Sequence, residues 1–217
     1  MDYIKKARYQ KIFEILRDRI VHGEYPPEMS LSEKALCDEF KVSRTPLREA
    51  MLRLKEMNLV QVIPRFGSYV TPIDINEVRW AFEVKIKLEI LTGELAAKRI
   101  TSEKLDELNT LITETDRIRD GDTQGRHRRL IEIDARFHEI IYQAAQNPIL
   151  REFLENLHSR CARVWSASLS EIVPTREIID QLKDVYMALK NNDSEKTGQL
   201  MGVHVEYFIE KIKTTLL

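Results

Sequence analysis

The sequence lacks the features that mark membrane, secreted and low-complexity chains. Crossing a bilayer takes roughly 18 to 20 consecutive apolar residues, and no run in this 217-residue sequence approaches that length. Two cysteines are too few for a disulfide framework. Seven glycines and seven prolines exclude collagen-like chains. The first residues alternate charged and apolar positions, unlike the apolar core of a signal peptide. Together these absences predict a soluble, cytoplasmic protein.

Net charge is also nearly absent, at −1, but the two signs are unevenly distributed. Residues 1–72 hold 13 basic and 10 acidic side chains, whereas residues 73–217 hold 21 and 25. The segment 41–55, KVSRTPLREAMLRLK, has five basic residues and one acidic residue. Such a local concentration on one helix suits phosphate binding. Taken alone, it also fits an amphipathic surface helix with solvated charges.

Turn residues divide residues 1–72 into short units. Apolar positions at helical spacing end at a capping glycine, Gly23. The pattern SLSE, from Ser30, is a capping box that opens a second helix. A third helix begins at Ser43, and its Pro46 is tolerated in the first turn. From Leu59 to Thr71 apolar and polar residues alternate loosely, and Pro64 and Gly67 interrupt the alternation. This pattern predicts a β-hairpin. The expected elements are helices at about 9–20, 30–40 and 43–57 and a hairpin within 59–71.

Two short helices with a tight break between them, the second basic and followed by a hairpin, are typical of a winged helix-turn-helix. A helix in the major groove presents its first residues to base edges, and its dipole favours nearby phosphate. Arginine can hold guanine with two hydrogen bonds, and hydroxyls reach phosphates or bases. The candidate DNA-contacting residues are Lys34, Ser43, Arg44, Thr45, Arg48, Arg65 and Gly67. The expected core comprises Leu31, Ala35, Leu36, Phe40, Val42, Leu47, Ala50, Met51 and Leu54.

About 50 residues, GEYPPEMSLSEKALCDEFKVSRTPLREAMLRLKEMNLVQVIPRFGSYV, resemble the DNA-binding domain of the GntR family of bacterial transcription regulators. The combination of VSRTPLREAMLRL with the downstream PRFGSYV is specific. The resemblance implies operator contacts by Arg44, Thr45, Arg48, Lys34 and Gly67. Family members often carry arginine at the position of Lys34, and lysine retains a phosphate contact but not a bidentate one.

Residues 73–217 are almost wholly helical in pattern, and six helices with short connections predict an antiparallel bundle. Pro72 marks the expected boundary, so the predicted domains are 1–72 and 73–217. The segment GDTQG, 121–125, is expected to be a loop. Helices are expected at about 74–99, 126–146, 148–169 and 175–191. Two further helices are expected to begin after caps at Thr101 or Ser102 and at Asp193 or Ser194.

Three polar residues occur on apolar helix faces in this part of the chain. Asp134 and His138 are four positions apart beside one apolar stripe, and His204 falls among apolar residues of the last helix. A carboxylate and two imidazoles pointing inward can form a metal site with open positions. They can equally be internal hydrogen-bonded residues, because buried polar groups need partners.

The stretch 74–213, with its DARFH and AAQNP motifs, resembles the FCD ligand-binding domain of the FadR subfamily. The resemblance implies a divalent metal (Zn, Ni or Mn) held by an aspartate and three histidines, with an effector carboxylate completing the coordination. Asp134, His138 and His204 match three of these ligands, but Leu182 stands where the remaining histidine belongs. Either the metal has three protein ligands, or the pocket has lost the metal and binds its effector in another way. His158 is a spare candidate. Lys85 takes the place of a family arginine and is the expected effector-binding residue.

The sequence therefore predicts a homodimeric transcription regulator, not an enzyme, whose two winged domains bind double-stranded operator DNA. A small organic acid bound in the helical domain would alter operator affinity. The alternative is a metal-dependent hydrolase using Asp134, His138 and His204. A helical adaptor without a ligand is a third possibility. No membrane partner is expected.

Overall fold

The computed structural model describes residues 2–118, 123–168 and 175–216. These residues form nine helices and one three-stranded antiparallel sheet, which confirms the predicted, mainly helical fold class. The order is α1 (Asp2–Val21), β1 (Ser30–Leu31), α2 (Glu33–Phe40), α3 (Arg44–Glu56), β2 (Val60–Ile63), β3 (Gly67–Val70), α4 (Ile75–Arg99), α5 (Ser102–Ile118), α6 (Thr123–Ala144), α7 (Pro148–Ser168), α8 (Thr175–Lys190) and α9 (Ser194–Leu216). No helix among the described residues is long and apolar enough to cross a membrane.

The chain divides into two compact units. The first comprises Met1–Val78 with His158–Ala167, and the second comprises Arg79–Leu157 with Ser168–Leu217. This division falls six residues after the expected boundary at Pro72. It also assigns part of α7 to the first unit, which the linear division of the sequence did not anticipate.

The small sheet of the first unit corrects the predicted start of α2. Ser30 does not cap that helix, because Ser30 and Leu31 form β1 and pair with Tyr69 and Ser68 of β3. Ser32 is the N-cap, and its Oγ accepts a hydrogen bond from Ala35 N at 3.3 Å. Leu31 is buried in the core, which holds the preceding segment in extended form. The remaining strands form the predicted hairpin, in the order β1-β3-β2.

The core of the first unit gathers apolar faces of α1, α2 and α3 under the sheet. Most of the expected core residues are buried or packed against that core. Ala35 is an exception, because it lies on the solvent side of α2. One face of α3 is buried and carries Leu47, Ala50, Met51 and Leu54. The opposite face is therefore exposed to solvent, and it carries Arg44, Thr45 and Arg48.

In the second unit the expected helix starts are capped as the sequence predicts. Leu150 N donates to Asn147 Oδ1 at 3.1 Å, and Lys196 N donates to Asp193 Oδ1 at 3.0 Å. Residues 123–125 of the expected loop belong to α6, which begins at Thr123. Residues 121 and 122 lie outside the described residues.

Glycines allow α4 and α9 to approach closely. A Cβ on Gly93 would lie 2.9 Å from Thr197 O, and one on Gly198 would lie 2.9 Å from Ile90 O. Ser194 Oγ also donates to Glu94 O at 3.0 Å. Neither glycine has a positive φ, so they are required for space between the helices. This packing positions α9, which carries His204, against α4.

Candidate nucleic-acid interface and metal centre

The start of α3 is exposed and available to DNA. Ser43 is the N-cap with extended backbone (φ −74°, ψ 168°), and its side chain makes no capping hydrogen bond. Arg44 and Thr45 follow in the first turn and are exposed. Lys34, on α2, is also exposed. The candidate side chains on both helices are therefore accessible, as groove and phosphate contacts require.

Arg48 is exposed but is not unpaired. Its Nε lies 3.2 Å from Glu33 Oε1 and 3.1 Å from Glu33 Oε2, and its Nη2 lies 3.1 Å from Glu33 Oε2. This ion pair joins α2 to α3 across the helix-turn-helix. The sequence offered no sign of it beyond Glu33 lying in the first turn of α2.

The hairpin between β2 and β3 ends in a tight turn that carries two candidate residues. Phe66 N donates to Ile63 O at 3.0 Å and closes the turn. Arg65 adopts a left-handed φ of 69°, and Gly67 has a φ of 119°. Glycine is needed at such a backbone angle, whereas arginine there is strained. We call residues 63–67 the wing tip; all five of these residues are exposed.

In the second unit, Asp134, His138 and His204 come together. One potential ligand atom from each lies within 4.8 Å of the others. His204 Nε2 lies 2.9 Å from Asp134 Oδ1, and His138 Nε2 lies 3.9 Å from Asp134 Oδ2. Both histidines are buried, and Asp134 is nearly so. The two imidazoles therefore direct the same ring nitrogen towards one carboxylate.

The other nitrogen of each imidazole faces a second polar side chain. His204 Nδ1 lies 2.9 Å from Gln181 Oε1, and His138 Nδ1 lies 3.3 Å from Glu89 Oε1. Outer partners of this kind orient metal-binding histidines and leave the Nε2 lone pair towards the metal. Gln181 and Glu89 were both missed in the sequence. Glu89 could have been noticed as the i+4 neighbour of Lys85, but Gln181 has no distinguishing pattern.

Lys85 is buried and forms an ion pair with Glu89. Tyr142 also donates to Glu89 Oε1, at 2.5 Å. Burial alone would raise the pKa of Glu89, but the charges of Lys85 and His138 outweigh it and hold that pKa below its usual range. Glu89 therefore stays ionised. Its Oε2 is buried and accepts no hydrogen bond within the described part of the chain.

Burial also lowers the pKa of His204, and the hydrogen bond and charge of Asp134 offset this only in part. A neutral imidazole is the form that binds metals. Leu182, at the position of the remaining family histidine, is buried. His158 belongs to the α7 segment of the first unit and is not in the group formed by Asp134, His138 and His204.

A winged helix-turn-helix with an exposed basic recognition helix, in one chain with a helical unit, defines a DNA-binding transcription regulator. Comparison with protein families agrees. Residues 8–70 match the model described as "Bacterial regulatory proteins, gntR family", and residues 81–207 match the FCD domain. The chain belongs to the GntR family, and these domains mark a regulator and not an enzyme.

Known relatives span nearly the whole chain. The HTH-type transcriptional repressor RspR of Escherichia coli (strain K12) is 30% identical over 204 residues, covering 94% of this chain and 88% of the relative. LutR of Bacillus subtilis (strain 168) is 25% identical over 209 residues, covering 86% and 92%. The structure of McbR/YncC from E. coli has a TM-score of 0.84 at 24% identity and covers 97% of this chain and 99% of its own, which shows a shared fold.

Proposed function

We propose that this regulator is a homodimer that binds a near-palindromic operator and responds to a small organic acid bound in its FCD domain. In this proposal Arg44, Thr45 and Arg48 read base edges, while Lys34 and Ser43 contact phosphates. Operator and effector affinities are then linked reciprocally, by about 1–3 kcal/mol. The protein acts in the cytoplasm, where operator DNA is found.

A divalent metal, Zn, Ni or Mn, is the proposed centre of the effector site. Asp134, His138 and His204 would hold it and would leave positions open for effector carboxylate oxygens. One observation carries this assignment: both Nε2 atoms face Asp134 while both Nδ1 atoms face Glu89 or Gln181. Nδ1 and Nε2 of His204 each lie 2.9 Å from an acceptor oxygen, of Gln181 and of Asp134, whereas a neutral imidazole carries only one hydrogen. A cation held by Nε2 and the Asp134 carboxylate would replace the hydrogen on that side.

Two further observations support an organic ligand in the same unit. Glu89 Oε2 is a buried acceptor without a donor among the described residues, and buried acceptors of this kind are rare. Lys85 supplies a buried positive charge beside it. The acceptor on Glu89 would be satisfied by a hydroxyl group of the ligand. We propose that Lys85 in turn contacts the effector carboxylate while it remains close to Glu89.

An apolar strip on α4 supports the dimer. Trp80, Val84 and Leu91 are all substantially exposed, although large apolar side chains are usually covered. Residues 80 and 84 lie one turn apart, so these side chains share a face. Sedimentation of the Trp80→Ala/Val84→Ser double variant should show monomers at concentrations where the wild type sediments as a dimer.

The metal is tested by calorimetric titration of chelator-treated, full-length protein with Zn²⁺, Ni²⁺ and Mn²⁺. The wild type should bind one ion per chain. Asp134→Asn and His138→Ala should each lower affinity by at least about tenfold, because losing even the outer hydrogen-bond partner of a ligand costs that much. His22→Ala is the matched control, because His22 is exposed in the first unit. Equal affinities in all four proteins would contradict the metal centre. Repeating the titration with lactate, malonate and citrate as probes tests for carboxylate binding at the loaded site.

A further inference from the structure

Phe66 at the wing tip is the most exposed large apolar side chain in the described residues, at 76%. Ile63, on the same tip, is 40% exposed. Ile63 stands opposite Gly67 in the strand register, so no cross-strand side chain can cover it. The tip thus presents apolar surface to water at a loop end where polar residues are usual.

The backbone that carries Phe66 is fixed. Its N–H donates to Ile63 O at 3.0 Å, and its carbonyl accepts from Tyr69 Oη at 2.9 Å. Both bonds belong to the hairpin itself. The ring is therefore presented in a defined direction, and less conformational entropy is lost when a partner receives it.

Arg65 provides a second, independent observation. It follows Pro64 in the turn and has a φ of 69°, the arrangement of a type II turn, in which this position is normally glycine or asparagine. Strained backbone of this kind persists mainly at functional sites. Arg65 thus places a charged side chain at a turn position that suits glycine, directly beside the exposed ring of Phe66.

We propose that the wing tip enters the minor groove of operator DNA and that Phe66 wedges between two stacked base pairs, with Arg65 lying along the groove beside it. Apolar side chains inserted at a base step unstack it and kink the duplex, and arginine is attracted to the negative potential of a narrow minor groove. The occupant is DNA and not a protein surface, because the tip combines the apolar ring with a cation in a chain that binds DNA.

This arrangement has a consequence for operator choice. Pyrimidine–purine steps such as TA and CA are easily unstacked, so the wedge favours them at one fixed position outside the bases read by α3. The preference requires no hydrogen bond between Phe66 and a base. It is a specificity element additional to the helix contacts.

The test uses the full-length protein and a duplex that it selects from a random pool. At the step facing the wing, one base is replaced by 2-aminopurine, whose fluorescence rises when it is unstacked. Affinity and fluorescence are measured for the wild type, Phe66→Ala and Phe66→Leu. Phe153→Ala is the matched control, because Phe153 is also an exposed phenylalanine but lies in the second unit.

Phe66→Ala should bind about tenfold or more weakly, since truncation removes a base–aromatic contact of that size. It should also abolish the fluorescence rise, whereas Phe66→Leu should keep part of both effects and Phe153→Ala should keep both. Replacing the TA or CA step should weaken the wild type but not Phe66→Ala. Unchanged affinity and fluorescence in Phe66→Ala would overturn the proposal. An equal loss on every duplex without a fluorescence difference, or an altered oligomeric state instead of altered DNA binding, would also overturn it.

Discussion

Arg48 and Glu33 form an ion pair in which Nε and Nη2 of the guanidinium face the carboxylate, with N–O distances of 3.1–3.2 Å. This geometry occupies one side of the guanidinium. The other edge, formed by Nη1 and the second hydrogen of Nη2, remains free and can span O6 and N7 of guanine. Glu33 therefore orients Arg48. In the proposed complex it would also place a negative charge close to the duplex.

Arg48→Ala should cost about 1–3 kcal/mol at one base pair of the operator, because a bidentate contact to that base is lost. The measurement is binding of the variant to a selected duplex and to a set of its single-base variants. Discrimination at one position should disappear while the other positions keep theirs.

Removing Arg48 also leaves the Glu33 carboxylate unpaired near phosphates, which weakens binding to every sequence. The double variant Arg48→Ala/Glu33→Gln removes this general repulsion and is the appropriate control. Discrimination should remain absent at the same position in the double variant. If both variants lose affinity equally for all duplexes, Arg48 contacts phosphate and the base assignment is wrong.

Lys34→Ala should weaken binding to all sequences by a similar factor. Lys34 is exposed on α2 and presents a single point charge, which suits a phosphate contact. Its loss should reduce the slope of log affinity against log salt by about one, since one fewer counterion is released. A changed base preference with an unchanged salt slope would contradict this role.

Arg65→Gly should separate stability from DNA binding. Glycine adopts the left-handed φ of 69° without strain, so the free energy of unfolding should rise, by up to about 1 kcal/mol after the entropy cost of glycine. Operator affinity should fall, because the cation at the wing tip is lost. Urea unfolding and a binding titration on the same preparation check both parts. A variant that is less stable and binds DNA equally well would show that the strain has no role in DNA binding.

Much of the fold could be predicted because its signals are local. Asn147 before Pro148 and Asp193 before Ser194 mark helix starts through bonds to nearby amides. The two-residue strand β1 could not be predicted, because Ser30 and Leu31 become a strand only by pairing with Tyr69 and Ser68 nearly 40 residues later. The SLSE pattern competed with that pairing and placed the helix cap at Ser30, two residues before the actual cap at Ser32.

The candidate metal centre shows the same limit. Asp134 and His138 could be identified as candidate ligands from helical spacing, because both lie beside one apolar stripe of α6. Gln181 and Glu89 act through contacts between helices, and sequence spacing carries no information on helix rotation. Lys85 was predicted to bind an effector carboxylate, but in the structure it forms an ion pair with Glu89 of its own helix. The effector role of Lys85 stays a prediction.

Gly198→Ala should destabilise the second unit by about 1–3 kcal/mol, because the new Cβ would lie 2.9 Å from Ile90 O and 2.7 Å from Glu94 Cγ. The helices α4 and α9 would have to separate. Gly202→Ala serves as a comparison with a smaller expected loss of stability, because its Cβ would meet only the movable side chain of Ile90. Urea unfolding should give the larger loss for Gly198→Ala; equal losses would contradict a backbone clash.

The stability of the metal-free protein should fall as the pH decreases from about 7 to 5, in part through His204. Its pKa is lowered by burial in the folded protein, whereas the unfolded chain has a value near 6.5. The unfolded state therefore binds a proton first as the pH drops. The stabilisation linked to neutral His204 is complete above pH 6.5 and is lost as the pH falls through that value towards the folded pKa.

Urea unfolding across this range checks the prediction in His204→Gln. Other groups also titrate between pH 7 and 5, so the quantity to compare is the slope of the unfolding free energy against pH. His204→Gln should show a shallower slope than the wild type, whatever its absolute stability. His22→Gln is the control for loss of an exposed histidine and should keep the wild-type slope. If the slope of His204→Gln also equals that of the wild type, the imidazole is not held neutral by burial. A metal at this site would then have to displace a proton from His204 before binding.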